Sequence, residues 1–316
     1  MEYRQLGSTG LSVSVLGFGG ATLGDEYGPM DATEGRRAFD AAVDSGINLV
    51  DVSPYYGRTL AEERLGHYLR GKRDRVVLAT KVGRYDRDPP AGFDFSAARV
   101  TRSVEESLRR LQTDVIDIFL AHDIEFAPLS RILDETVPAL HRLKEQGKVR
   151  FIGVTGFPLE VLRDAVEGAE LDVVLSYCHY NLLNTRLASV LAPAVQTRSM
   201  GLINASPLHM GVLSPGGPPP WHPAPSEVLE AGRQAAEWCR SRGLDLAEIA
   251  LRFALGSPAH STLVGVRTLA ELQTSLRALE PDPHPEATEE LRALLAPVQD
   301  REWPSGLFPG PGEPRP

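Results

Sequence analysis

The chain of 316 residues holds only two cysteines, Cys178 and Cys239, and their spacing suits neither a metal site nor a disulfide framework. No long run of lysine and arginine occurs, and the formal charge is −9, which argues against a nucleic-acid partner. No apolar stretch is long enough to span a bilayer. The opening residues, Met1-Glu2-Tyr3-Arg4-Gln5, lack the apolar centre of a signal peptide. These absences leave the expectation of a reduced cytoplasmic protein, without a membrane or metal, acting on a small molecule as a monomer or small homo-oligomer.

What the chain does have is a regular rhythm. Hydrophobic residues make up 42 % of it, enough for one large core. Short apolar runs fall at 15–19, 48–51, 76–81, 116–122, 151–155, 173–177, 201–205 and 262–265. Several are apolar throughout, as parallel strands covered on both faces must be. Amphipathic segments lie between them: 32–45, one starting at Thr59, 96–111, 129–146, 158–167 and 184–199. Thr59-Leu60-Ala61-Glu62 fits a capping box. The rhythm breaks at Pro215–Pro223, after which helices are expected at 226–242 and 246–255. The pattern predicts an α/β fold, a (β/α)8 TIM barrel with extra helices near the C-terminus. Residues 1–302 would form one domain, with 303–316 an extended or disordered Pro/Gly tail.

Three of the expected strands end on ionisable residues: Asp51, Lys81 and His122. Tyr56 follows Asp51 on a tight loop, Ser53-Pro54-Tyr55-Tyr56-Gly57. In such barrels the strand C-termini carry the chemistry. Any one of these groups alone reads as a solvated loop residue, and Tyr56 alone as packing. Together they suit proton transfer: an ammonium at Lys81, held by Asp51, would lower the Tyr56 pKa, letting the phenol act as general acid or base. His122 would orient the reacting oxygen.

This constellation resembles the aldo-keto reductase family. Arg4 through Ser14, Leu16-Gly17-Phe18-Gly19-Gly20, Gly46-Ile47-Asn48 into Asp51–Gly57, Arg150-Phe151-Ile152-Gly153-Val154 and Ser206-Pro207-Leu208 with Gly211 carry the likeness along nearly the whole chain. Within the family it is most similar to the L-galactose, L-fucose and related aldose dehydrogenases. Gly92-Phe93-Asp94-Phe95-Ser96, His122-Asp123-Ile124-Glu125-Phe126, Ser176-Tyr177-Cys178-His179-Tyr180 and Trp221-His222-Pro223 carry that likeness.

The resemblance implies hydride transfer to a nicotinamide cofactor, NAD with NADP as the alternative, and Tyr56 as the proton-transfer group. It implies cofactor contacts at Gly20, Thr22, Thr155, Tyr177, Ser206, Leu208, Gly211, Gly265, Val266, Arg267 and Glu271, the last group beside a helix N-terminus suited to anions. Three departures from the family pattern stand out. Thr155-Gly156 replaces the usual Ser-Asn. Tyr177 and Ala205 replace a glutamine and a stacking aromatic. Glu271 stands where NADP-preferring members often carry arginine, and a carboxylate there would repel a 2′-phosphate. The implied reaction oxidises an aldose of the L-galactose, L-fucose or D-arabinose type at C1 to a lactone. Tyr85, Asp123, Glu125, Trp221 and His222 are candidate substrate contacts, although Trp221 could equally pin its own loop. The rival expectations are a broad NADPH-dependent aldehyde or ketone reductase and a non-catalytic binding or regulatory subunit.

Overall fold

The computed structural model describes residues 1–88 and 91–308. Eight parallel strands close into a barrel: β3 (Leu16–Gly19), β4 (Leu49–Asp51), β5 (Val77–Val82), β6 (Ile116–His122), β7 (Val149–Gly156), β8 (Val173–Tyr177), β9 (Gly201–Ala205) and β10 (Ser261–Gly265). Each pairs with the next, and β10 closes the ring on β3, with Val264 opposite Phe18. Strands β6, β8 and β9 have the bounds expected from the sequence.

A short antiparallel hairpin, β1 (Tyr3–Gln5) with β2 (Ser12–Ser14), precedes the barrel. Its apolar residues Leu6, Leu11 and Val13 join Leu49, Ile118, Leu120, Val173 and Ile203 in one buried cluster. Because these strand residues lie near the N-terminal ends or middle of the barrel, the hairpin plugs the bottom and leaves the opposite mouth open. The sequence reading missed it because Tyr3-Arg4-Gln5 is mostly exposed and carries no apolar run.

Eleven helical segments surround the barrel among the described residues: α1 (Ala32–Asp44), α2 (Leu60–Tyr68), α3 (Ala97–Leu111), α4 (Leu129–Arg131), α5 (Val137–Glu145), α6 (Leu159–Gly168), α7 (Ala192–Thr197), α8 (Ser226–Ser241), α9 (Leu246–Leu255), α10 (Leu269–Arg277) and α11 (Pro285–Leu295). Asp31 caps α1 by accepting from the Thr33 and Glu34 amides, and Ser96 caps α3. The capping box expected at Thr59 does not form. Thr59 is left-handed, with φ of +83°, and its hydroxyl donates to Glu63 instead. Pro54 takes the Thr59 amide, so the tight turn after β4 dictates the conformation before α2 can.

The segments expected as continuous helices at 129–146 and 184–199 each contain a π turn, Ile132–Thr136 and Leu187–Leu191. Both turns run into a helix with proline at its first positions, Pro138 and Pro193. A proline ring crowds the carbonyl four residues back and offers no amide hydrogen, so the preceding turn widens. The first part of the tail packs on the barrel. Trp303 and Phe308 are buried, and Ser305 donates to Glu125. Residues 303–308 are therefore ordered against the barrel, while 309–316 lie outside the described residues. Among the described residues no helix is long and apolar enough to cross a membrane.

Candidate active site

Asp51, Lys81 and His122 converge because they sit at or near the ends of adjacent strands. In register, Asp51 lies opposite Ala79, and Lys81 opposite Leu120. Lys81 therefore stands two residues beyond the Asp51 level, and its long side chain reaches back. Its ammonium donates to Asp51 Oδ1 at 2.5 Å, to the Val52 carbonyl at 3.1 Å and to the Tyr56 hydroxyl at 3.2 Å. Tyr56 is fixed by the turn that follows. Gly57 has φ of +62°, and a Cβ there would come within 2.4 Å of the Gly24 carbonyl oxygen. Glycine thus permits both the left-handed turn and the close approach of the 20–24 segment. The His122 ring meets the Tyr56 ring edge-on, with centroids 5.8 Å apart.

The electrostatics differ from the simple expectation of a depressed phenol. Burial holds the Tyr56 hydroxyl well above its usual range, and the neighbouring Asp51 and Asp123 charges push it the same way. Lys81 does not reverse this, because Asp51 already pairs with its charge at 2.5 Å. Burial also raises the Asp51 carboxyl, against the pull of Lys81. Tyr56 is therefore a neutral phenol at ordinary pH. Burial, with the charges of Lys81 and Arg84, holds His122 well below the usual imidazole range, so it is neutral too.

The mouth is a cavity of about 410 Å³. Tyr55, Tyr56, Lys81 and His122 line its reactive side, and Trp221 and residues 303–306 its outer wall. Asp123 belongs to it, buried in an ion pair with Arg84, whose guanidinium lies 3.8 Å over the Tyr55 ring. Trp221, still 39 % exposed, donates to the Glu26 carbonyl at 3.3 Å and packs on Tyr27.

Three of the candidate substrate contacts do not line this cavity. Tyr85 accepts from the Gly83 amide and lies under Arg99, in a separate crevice with Arg58 and Glu106. His222 is buried, bonded to the His209 carbonyl and the Ala224 amide, and so braces its own loop. Glu125 turns away from the cavity and anchors the tail. It accepts from Ser305 Oγ at 2.9 Å and the Phe157 amide at 3.2 Å, while its carbonyl accepts from the Leu307 amide. Burial and the Asp123 charge push its carboxyl up to about 8.

Glu125 also accounts for Gly156. A Cβ at position 156 would stand 2.5 Å from Glu125 Oε2, so an asparagine there would require the Glu125 carboxylate to shift. Trp303 completes the anchor by stacking on Phe157, centroids 4.3 Å apart. The preceding Glu302 is paired with His179 and Arg186. Burial alone would raise Glu302, but hydrogen bonds from these two partners outweigh it and hold it at about 2.

Of the expected cofactor contacts, Thr155, Tyr177 and Ser206 line the cavity, next to the small residues Ala21 and Ala205. Gly20 backs onto the Asp51 carbonyl, and Thr22 donates to the Val266 carbonyl at 3.0 Å, tying β3 to the loop after β10. Gly211, with φ of +101°, turns the loop in which the Leu208 carbonyl accepts from the Gly211 amide. Exposed Gly265 leads to Arg267, which is clasped by Glu271: Nη2 lies 2.8 Å from Oε1, and the Arg267 amide donates to Oε2 at 2.7 Å. Glu34 accepts from the Leu269 amide, so a carboxylate already occupies part of the α10 N-terminus. Thr155, Tyr177 and Ser206, with the small residues Ala21 and Ala205 beside them, would hold the nicotinamide end of an NAD(P) cofactor at the mouth. Among the described residues no cluster of histidine, cysteine, aspartate or glutamate could hold a metal ion.

The sequence reading overlooked Ser53, Arg84, Glu26 and the 303–306 wall. Ser53 lay inside the motif already singled out. A large aromatic residue, Trp303, in a Pro/Gly segment was a signal that the segment is anchored.

Comparison with known proteins adds four findings. The model of the aldo/keto reductase family matches residues 15–296. The chain is 43 % identical to an L-galactose dehydrogenase of Arabidopsis thaliana, across 97 % of this chain and 98 % of that protein. It is 33 % identical to a D-arabinose 1-dehydrogenase of Saccharomyces cerevisiae, across 84 % and 82 % respectively. Among solved structures, the holo form of aldo-keto reductase AKR11C1 from Bacillus halodurans superposes with a TM-score of 0.77 at 28 % identity, covering 96 % of this chain and all of that one.

Proposed function

The chain belongs to the aldo/keto reductase family and is an NAD(P)-dependent oxidoreductase, and from that premise we propose that it is an NAD-dependent aldose 1-dehydrogenase acting on a sugar of the L-galactose type. The observation that carries this reading is the cluster in which Lys81 bonds Asp51 and Tyr56 together beside His122. The 43 % identity to an L-galactose dehydrogenase supports the choice of substrate. The cavity supports it too: Tyr55, Tyr177 and Trp221 offer ring faces, and Arg84 and Asp123 offer polar atoms for hydroxyl groups.

A nicotinamide held beside Thr155, Tyr177 and Ser206 would supply the hydride acceptor for C1. The chain's own residues handle the proton. As the C1–H bond breaks, the C1 hydroxyl becomes the lactone carbonyl and its proton passes to the Tyr56 oxygen in its phenolate form. The Lys81 ammonium, already hydrogen-bonded to that oxygen, meets the phenolate charge, and Asp51 keeps Lys81 aimed. His122 donates to the sugar oxygen and fixes its direction. Because burial keeps Tyr56 protonated, the phenolate fraction, and hence oxidation, rises with pH below its pKa.

Glu271 supports NAD over NADP. Arg267 and the Leu269 amide are both engaged by carboxylates, so a 2′-phosphate on Arg267 would have to displace Glu271 and would face its charge. The two buried unpaired cysteines suit a reducing compartment such as the cytoplasm.

A second reading has one observation in its favour. A neutral Tyr56 is ready to donate a proton, which suits reduction of an aldehyde with NADPH. Initial rates separate the two. NAD with L-galactose, L-fucose or D-arabinose is expected to outpace NADPH with methylglyoxal; the reverse order would replace the sugar dehydrogenase with the carbonyl reductase.

A further inference from the structure

Ser53 has no part in the chemistry above, yet it is wholly buried between Asp51 and Tyr56. Its oxygen accepts from the Tyr55 amide at 3.1 Å and lies 3.0 Å from His122 Nδ1. A serine hydroxyl has one hydrogen to give. Leaving a buried donor unpaired costs about 1–3 kcal/mol. Among the described residues, His122 Nδ1 is the only acceptor within hydrogen-bond range of that hydroxyl.

The ring is neutral, so one of its nitrogens accepts and the other donates. The reverse arrangement, with the proton on Nδ1, would leave the serine hydroxyl facing no acceptor. The other edge of the ring agrees: Nε2 lies 3.7 Å from the Asp123 carboxylate, a neighbour that favours an N–H over a lone pair. We infer that Ser53 is a positioning residue: it donates to His122 Nδ1 and so keeps the imidazole proton on Nε2, on the edge that faces the cavity.

The consequence is directional. With the proton on Nε2, His122 presents a donor to the mouth and can hold a carbonyl or hydroxyl oxygen. In the other tautomer it would present a lone pair and repel that oxygen. The tautomer is set by the partner on the far nitrogen, and here that partner belongs to the same loop that carries Tyr56. Donor and proton-transfer group are thereby oriented by one five-residue turn. The effect on rate rests on the role proposed for His122, but the tautomer itself does not.

The experiment uses the full chain labelled with 15N-histidine, with the His122→Gln spectrum to assign the signal. Long-range 1H–15N correlation is expected to show an unprotonated Nδ1 and a protonated Nε2 in the wild type, mixed tautomers in Ser53→Ala, and recovery in Ser53→Thr. Turnover with NAD and L-galactose should fall roughly tenfold in Ser53→Ala, with KM changed less than kcat and with recovery in the threonine variant. A wild-type spectrum with the proton on Nδ1 overturns the inference. So does an Ala variant whose tautomer is unchanged, even if its turnover falls. If the tautomer shifts while turnover holds, the inference stands and the role proposed for His122 fails.

Discussion

Asp51, Lys81 and His122 come from three consecutive strands, β4, β5 and β6, whereas the wall facing them draws on Glu26 and Tyr27, Trp221 and residues 303–306. The first group is locked by ladder hydrogen bonds and full burial, with Lys81 2.5 Å from Asp51 and 3.2 Å from the Tyr56 hydroxyl. The second is held by stacking of Trp303 on Phe157, a single indole hydrogen bond from Trp221 and the carboxyl of Glu125. Strand ends give precision and loops give variety. Under the proposed mechanism, one side of the mouth fixes what reaction occurs, and the other is free to decide which molecule undergoes it.

That division can be broken by experiment. The largest effect belongs to Tyr56→Phe, which should lower kcat for sugar oxidation by roughly 10²–10⁴-fold, with KM little changed. A wild-type rate would mean that the proton leaves by another route and that the strand-end cluster is not the chemical side. Trp303→Ala probes the other side. Loss of a buried tryptophan should cost about 3–5 kcal/mol in urea unfolding, and KM for the sugar should rise more than kcat falls. An equal fall in kcat with an unchanged KM would erase the distinction between the two walls.

The smallest effect sharpens the comparison through pH. Glu125 has its carboxyl raised from 4.5 to about 8 in the folded protein. The folded state therefore holds a proton that the unfolded state releases between those values, so stability is full below the lower value and falls as pH rises through the higher one. Glu125→Gln removes this dependence. Its stability relative to wild type should grow by a few kcal/mol at most from acid to alkaline pH, read as diverging melting temperatures. Parallel curves would show that the tail does not rest on a protonated carboxyl.

Much of the reactive side was legible in the sequence, because an apolar strand ending in an ionisable residue is a local pattern. Runs 116–122, 173–177 and 201–205 are apolar or small enough that their strands could be bounded residue by residue. The protonation of Tyr56 was not legible. It depends on how completely the phenol is buried and on Asp51 cancelling Lys81, and neither is visible in the spacing of the three residues. The facing wall was least legible. Composition marks 303–316 as a tail, while Trp303 and Ser305 are held by Phe157 and Glu125, residues far away in sequence. That Tyr85, Glu125 and His222 lie outside the cavity was not legible for the same reason, since only the loop conformation decides which way each side chain turns.

The position of that wall along the chain has a bearing on synthesis. Chains are made N-terminus first. The four reactive groups lie between residues 51 and 122, and the Trp303–Gly306 stretch comes after every barrel strand. A nascent chain thus acquires its reactive groups long before the surface that screens what meets them. A tag fused just after that stretch would burden discrimination between sugars before it touched the transfer of a proton.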